Sequence, residues 1–116
     1  MEIIVTKYFE KNFNKVSKDL NLEELYMKIN IESKNFILFS EPYFKVKIRS
    51  KNKSYRLLLI FDRNINKILL INFFDKKDKI YWDNISWKLH KEKILEWRNK
   101  NTEDILRWKY IKKIIK

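Results

Sequence analysis

Three cations stand where a phosphate could be gripped. Lys45 and Lys47 alternate with Phe44, Val46 and Ile48, and Arg49 continues the series. In an extended segment, period two puts the cations on one face and the apolar set on the other. Arg56 lies in the next apolar run, YRLLLIF at 55–61, after the polar turn SKNKS at 50–54. Lys76, Lys77 and Lys79 leave the end of a third run, KILLINFF at 67–74, and Tyr81 follows. Antiparallel neighbours lie about 5 Å apart, so these groups can converge on one sheet surface. Such a cluster suits a phosphodiester, and an aromatic beside it suits a stacked base. The same alternation also fits a solvated sheet face, or an edge strand that lysines protect from unwanted pairing.

Composition narrows the chemistry. The 116 residues suffice for one domain, 1–116, with its own core. Cysteine is absent and His90 is the sole histidine, so thiolate chemistry and histidine metal sites are excluded and no metal or cofactor is expected. Without glycine, phosphate loops of the Walker and dinucleotide types are excluded too. No apolar run reaches the roughly 18 residues of a membrane span, and the first residues carry no secretory apolar stretch. The expected setting is a reducing cytoplasm. The formal charge of +12 points to an anionic partner. Only 5 of the 27 basic residues are arginine, so part of that charge reflects a general enrichment in lysine.

The elements that must position these groups follow from periodicity. EIIV at 2–5 reads as a strand, and Thr6 can cap a helix with Phe9, Phe13, Val16 and Leu20 on one face. Asn21 and Glu24 have capping-box spacing for a second helix, and the short connection predicts a helical hairpin. Residues 36–39 (FILF) form a strand or a buried linker, and Pro42 marks entry to the three main strands, joined by short turns and so antiparallel. From Tyr81 the pattern turns helical through Trp82, Ile85 and Leu89. A polar break is expected at 98–101. A last helix is expected from Asn101 or Thr102 with the stripe Ile105, Trp108, Ile111 and Ile115. The predicted class is α+β: an N-terminal strand and helical hairpin packed on an antiparallel sheet, with one or two C-terminal helices.

The run FKVKIRSKNKSYRLLLIF, followed by NKILLINFFDKKDKIY, resembles the core of the RelE toxins in the RelE/ParE superfamily. The likeness covers a Lys-apolar-Lys-apolar-Arg strand, a Tyr-Arg pair opening an apolar strand, and a third strand that exits into a basic loop ahead of a tyrosine. In layout it spans about residues 1–90, with 94–116 as a helical extension. It implies a metal-independent endoribonuclease that cuts mRNA on the ribosome and is restrained by a separate acidic antitoxin. Carried over by position, Lys47, Arg56, Lys77 and Tyr81 would be catalytic, and Lys45, Arg49, Lys76 and Lys79 would bind RNA. Lys47 is the expected base, its ammonium destabilised by crowded cations, while Lys45 and Arg56 stabilise phosphate charge. This chain departs from the family in having Lys at position 77, which removes a bidentate arginine contact, and Trp82 adjoins or replaces Tyr81. The competing reading is a non-catalytic basic protein of a phage or mobile element. It would grip RNA or block a nucleic-acid-binding machine such as a CRISPR effector complex.

Overall fold

The computed structural model describes residues 1–51, 53–75, 77–78 and 85–115. Its elements in order are β1 (Glu2–Thr6), α1 (Lys7–Val16), α2 (Leu22–Lys28), β2 (Phe36–Ser40), β3 (Tyr43–Arg49), β4 (Ser54–Asp62), β5 (Lys67–Asp75), α3 (Trp87–Leu106) and β6 (Tyr110–Ile114). The six strands form one sheet in the order β2-β3-β4-β5-β1-β6. From β2 to β5 every pair is antiparallel, as short turns require. β1 lies parallel to β5 and antiparallel to β6. The class is the expected α+β, with one parallel pair that the long return through α1, α2 and three strands makes possible. Among the described residues no helix is long and apolar enough to cross a membrane.

Period-two alternation divides the apolar residues between two cores. Phe44, Val46 and Ile48 of β3 and Tyr55, Leu57, Leu59 and Phe61 of β4 face Phe9 and Phe13 of α1 and Leu25 and Tyr26 of α2. On the other face, Leu58, Ile71 and Phe74 meet Ile94 and Trp97 of α3. This is why β4 and β5 are apolar on both faces: each is covered by helix on both sides. The β4–β5 register shifts between Leu58 and Leu59. That bulge lets Ile68, Leu70 and Phe73 share one core despite their uneven spacing.

The expected caps form. The Thr6 hydroxyl accepts from the Phe9 amide at 3.1 Å, and Asn21 and Glu24 bond each other's backbone amides. Two C-terminal expectations are corrected. The polar break at 98–101 does not occur: α3 runs unbroken from Trp87 to Leu106. Asn101 is fully buried and bonded, and Thr102 donates to the Arg98 carbonyl instead of capping. Residues 110–114 form a strand, not a helix. Ile111 and Ile115 fit a helical stripe, but 111, 113 and 115 also fit period two. The open edge of β1 decides between them by supplying a ladder that an isolated last turn cannot.

Asp19 ties the loop between α1 and α2 to the β3–β4 turn. Its carboxylate accepts from the Ser50 hydroxyl and, at 2.7 Å, from the Tyr55 hydroxyl. These two bonds hold its pKa below the ordinary 3.8. A depressed carboxylate contributes stability that is present above its unfolded pKa and lost as pH falls through the folded one. Tyr55→Phe removes one of the two bonds and should therefore lower stability at neutral pH. It should also flatten the acid limb, so parent and variant converge below pH 3.8. Urea melts across pH 2.5 to 7, on the order of one per half unit, check this; parallel curves would refute it.

Candidate nucleic-acid interface

The sheet register brings the basic residues together. Lys47 stands directly opposite Arg56, and Arg56 directly opposite Phe74 on β5. Lys45 opposes Leu58, and Arg49 opposes Ser54. Paired residues share a face, so Lys47, Arg56 and Phe74 make one rung on the α3 side of the sheet. Lys45 flanks that rung on one side and Arg49 on the other. Opposed side chains in such a pair have Cβ atoms roughly 4.5–5.5 Å apart, where like charges repel. Among the described residues no ion pair reaches Lys45, Lys47 or Arg49. Glutamates elsewhere hold Lys7, Lys67, Lys93, Lys100, Lys112 and Lys113. The three middle cations are thus crowded by each other and left without a carboxylate.

Depth grades the strip. Arg56 is only 8% exposed and forms its floor. Lys47 and Arg49 are exposed at the rim, and Lys45 is half-buried. The Lys45 ammonium sits 5.2 Å from the centre of the Phe39 ring and reaches the Ile85 carbonyl at 3.5 Å. Burial first, then the charges of Arg56 and Lys47, push its pKa below the ordinary 10.5. Lys45 is two residues from Lys47, the lysine that the sequence leads one to expect as the base.

The start of α3 borders this strip. Ser86 caps the helix by accepting from the Leu89 amide at 3.2 Å, while the Ser86 amide donates to His90 Nδ1 at 3.1 Å. The first turn holds no acidic residue and does hold Lys88. Acids are the residues that usually offset the positive end of a helix. Beside it the Trp87 ring packs on Tyr43 at 5.1 Å, with the Lys91 ammonium 5.8 Å from the Trp87 centroid. Cations, amides and an aromatic edge therefore converge on one patch.

Lys77 follows β5, exposed, with its amide donating to Asp75 at 3.0 Å. Asp75 opposes Tyr55, which puts Lys77 at the same end of the sheet as Arg56. Lys76, Lys79, Tyr81 and Trp82 lie outside the described residues. Phe39 and the Ile85 carbonyl, which set the environment of Lys45, carry no sequence signal beyond the apolar run that contains Phe39. Trp87 is recognisable in sequence only as part of a helix. Set against family models, curated proteins and solved structures, the chain matches none of them.

Proposed function

We propose that this patch binds and cleaves RNA in the manner the RelE resemblance implies, on mRNA held in the ribosome. The observation that carries the reading is the register that sets Lys47, reached by no ion pair among the described residues, opposite Arg56, with the half-buried Lys45 beside them. Neutral Lys45 takes the proton from a ribose 2′-hydroxyl. The 2′-oxygen attacks phosphorus, the bond to the 5′-oxygen breaks, and a 2′,3′-cyclic phosphate forms. Arg56 and the rim lysine hold the charge that develops on the phosphorane, and the Lys47 ammonium returns a proton to the leaving 5′-oxygen. Arg49 and Lys77 extend the grip along the backbone. An acidic partner protein, an antitoxin, would silence the site by covering these cations, and ribosomes make the cytoplasm the setting.

The test is expression in a bacterial host together with purified translating ribosomes. The expected result is growth arrest and new mRNA ends bearing cyclic phosphate, both lost in Arg56→Ala. Binding without cleavage, with an affinity falling steeply in salt, would instead identify a non-catalytic RNA-gripping protein. The pH profile reports the base. Cleavage should rise as Lys45 deprotonates and level off at a pKa under 10.5. The rise should be lost in Lys45→Met; a rate independent of pH from about 6 to 9 would remove lysine from the base role.

A further inference from the structure

β6 is the outer edge of the sheet beside β1. Its register runs from Tyr110 opposite Thr6 to Ile114 opposite Glu2. Met1 and Ile115 exchange both backbone bonds, at 2.9 and 2.8 Å, and the Lys7 amide donates to the Lys109 carbonyl. Odd-numbered positions therefore bond to β1, and the amides and carbonyls of Tyr110, Lys112 and Ile114 point outward. Among the described residues these outward groups have no backbone partner. The same edge exposes Trp108 at 82%, Ile114 at 69% and Ile111 at 53%. Trp108 adopts φ 62°, a left-handed conformation unfavourable for a bulky side chain, and its ring stacks on Tyr110 at 6.2 Å. A single exposed apolar residue needs no explanation. Here an unpaired ladder, a strained exposed indole and two isoleucines coincide.

We infer that β6 is a homodimer interface, in which two copies pair β6 against β6 about a two-fold axis at Ile111 and join their sheets into one. Lysines on an edge ordinarily discourage pairing. In this chain Lys112 already holds Glu2 at 3.5 Å and Lys113 holds Glu23 at 3.1 Å. Glu2 is shared with Lys67, and Lys109 has no ion pair among the described residues, so like-charge repulsion at this edge is reduced rather than removed, and the apolar pairings of the register must outweigh it. The outward pattern allows the axis at 111, 112 or 113. At 112, Lys112 meets its own copy; at 113, Lys113 does, and Trp108 is left beyond the ladder. At 111, Ile111 meets Ile111, Trp108 reaches Ile114 of the second copy, and Tyr110 reaches Lys112 of the second copy as a cation–π pair. Lys109 then faces Lys113 of the second copy, whose charge Glu23 offsets. The opposite edge, β2, is the poorer candidate: its Phe36 amide is taken by the Ser33 carbonyl, and its register breaks between Leu38 and Ser40.

A five-residue ladder belongs at the small end of specific interfaces, so the dimer should have a Kd on the order of 10–100 µM. Sedimentation velocity of the full chain from about 5 to about 500 µM brackets that value. The parent should pass from monomer to dimer across the range. Ile111→Lys, at a half-exposed position, should stay monomeric throughout. Trp108→Gly should weaken association about tenfold while melting no lower than the parent, because glycine accepts the left-handed conformation. Leu38→Lys on the other edge should dimerise like the parent. A parent that remains monomeric at the highest concentration overturns the inference, as does a dimer that Ile111→Lys leaves intact.

Discussion

Asn101→Leu should lower the unfolding free energy by roughly 2–4 kcal/mol, although it replaces a polar core residue with an apolar one of similar size. Asn101 is fully buried on α3. Its side-chain amide donates to the Ile71 carbonyl on β5 at 3.1 Å and to the Trp97 carbonyl at 2.8 Å. Its side-chain oxygen accepts from the Thr6 hydroxyl at 2.5 Å, and Thr6 is also the cap of α1. One residue therefore joins α3 to β5, to the end of β1 and to the start of α1. Leucine strands the Thr6 hydroxyl and leaves the Ile71 carbonyl without its side-chain donor, in a site closed to water. A buried polar group left unsatisfied costs more than a hydrogen bond gains. Asn101→Asp should be at least as damaging, since it exchanges both donations for a buried charge. The comparison that isolates the network is Thr6→Val with Asn101→Leu in a double-mutant cycle by urea melts. The two losses should be less than additive by about 1 kcal/mol or more. Strict additivity would show that the two side chains act independently.

That network also shows what the sequence could and could not convey. Where a signal is local, the residues declared it. Asn21 and Glu24 announce a capping box three residues apart, Thr6 announces a helix start, and the doubly apolar run at 55–61 announces a strand covered on both faces. The basic alternation at 45, 47 and 49 is local too, so the shared face of these cations was legible, and the short turn to 54 brings Arg56 alongside. What stayed hidden depends on partners far along the chain. Asn101 in isolation reads as a break or a cap. It becomes a helix-interior residue because Thr6 and Ile71 lie 95 and 30 positions away. Residues 110–114 satisfy two periodicities at once, and only the open edge of β1, over a hundred positions earlier, selects the strand. The parallel β1–β5 pair has no turn to signal it. In the candidate site, Lys45 and Lys47 are equivalent by pattern. The distinction between them is made by Phe39 on a neighbouring strand and by the Ile85 carbonyl ahead of α3, neither of which a reading of the basic strand contains.

Lys47→Glu should stabilise the protein and abolish cleavage. Lys47 directly opposes Arg56 across β3 and β4, and Lys45 lies two residues away on the same face. Like charges so opposed are destabilising, and opposite charges contribute roughly 0.2–1 kcal/mol. Reversing the sign at 47 removes the repulsion and substitutes an attraction, for a gain of about 0.5–1 kcal/mol at low salt. Salt gives the mechanism away. The parent should gain stability as ionic strength rises and screens the crowded cations, whereas Lys47→Glu should lose some, because the same screening weakens its new ion pair. The new carboxylate also favours the charged form of Lys45, so the pKa that burial and the two cations hold below 10.5 should move back up. A base held protonated and a phosphate facing a carboxylate together predict a fall in cleavage of at least about 10³-fold. Arg49→Glu is the control, because Arg49 opposes the neutral Ser54 and its reversal should cost affinity with little effect on stability. Urea melts at about 50 mM and about 500 mM salt, run beside the ribosome cleavage assay, decide the matter. A Lys47→Glu protein that is less stable than the parent would show that repulsion between Lys47 and Arg56 does not dominate the rung. One that is more stable and still cleaves would take Lys47 and its neighbours out of the reaction.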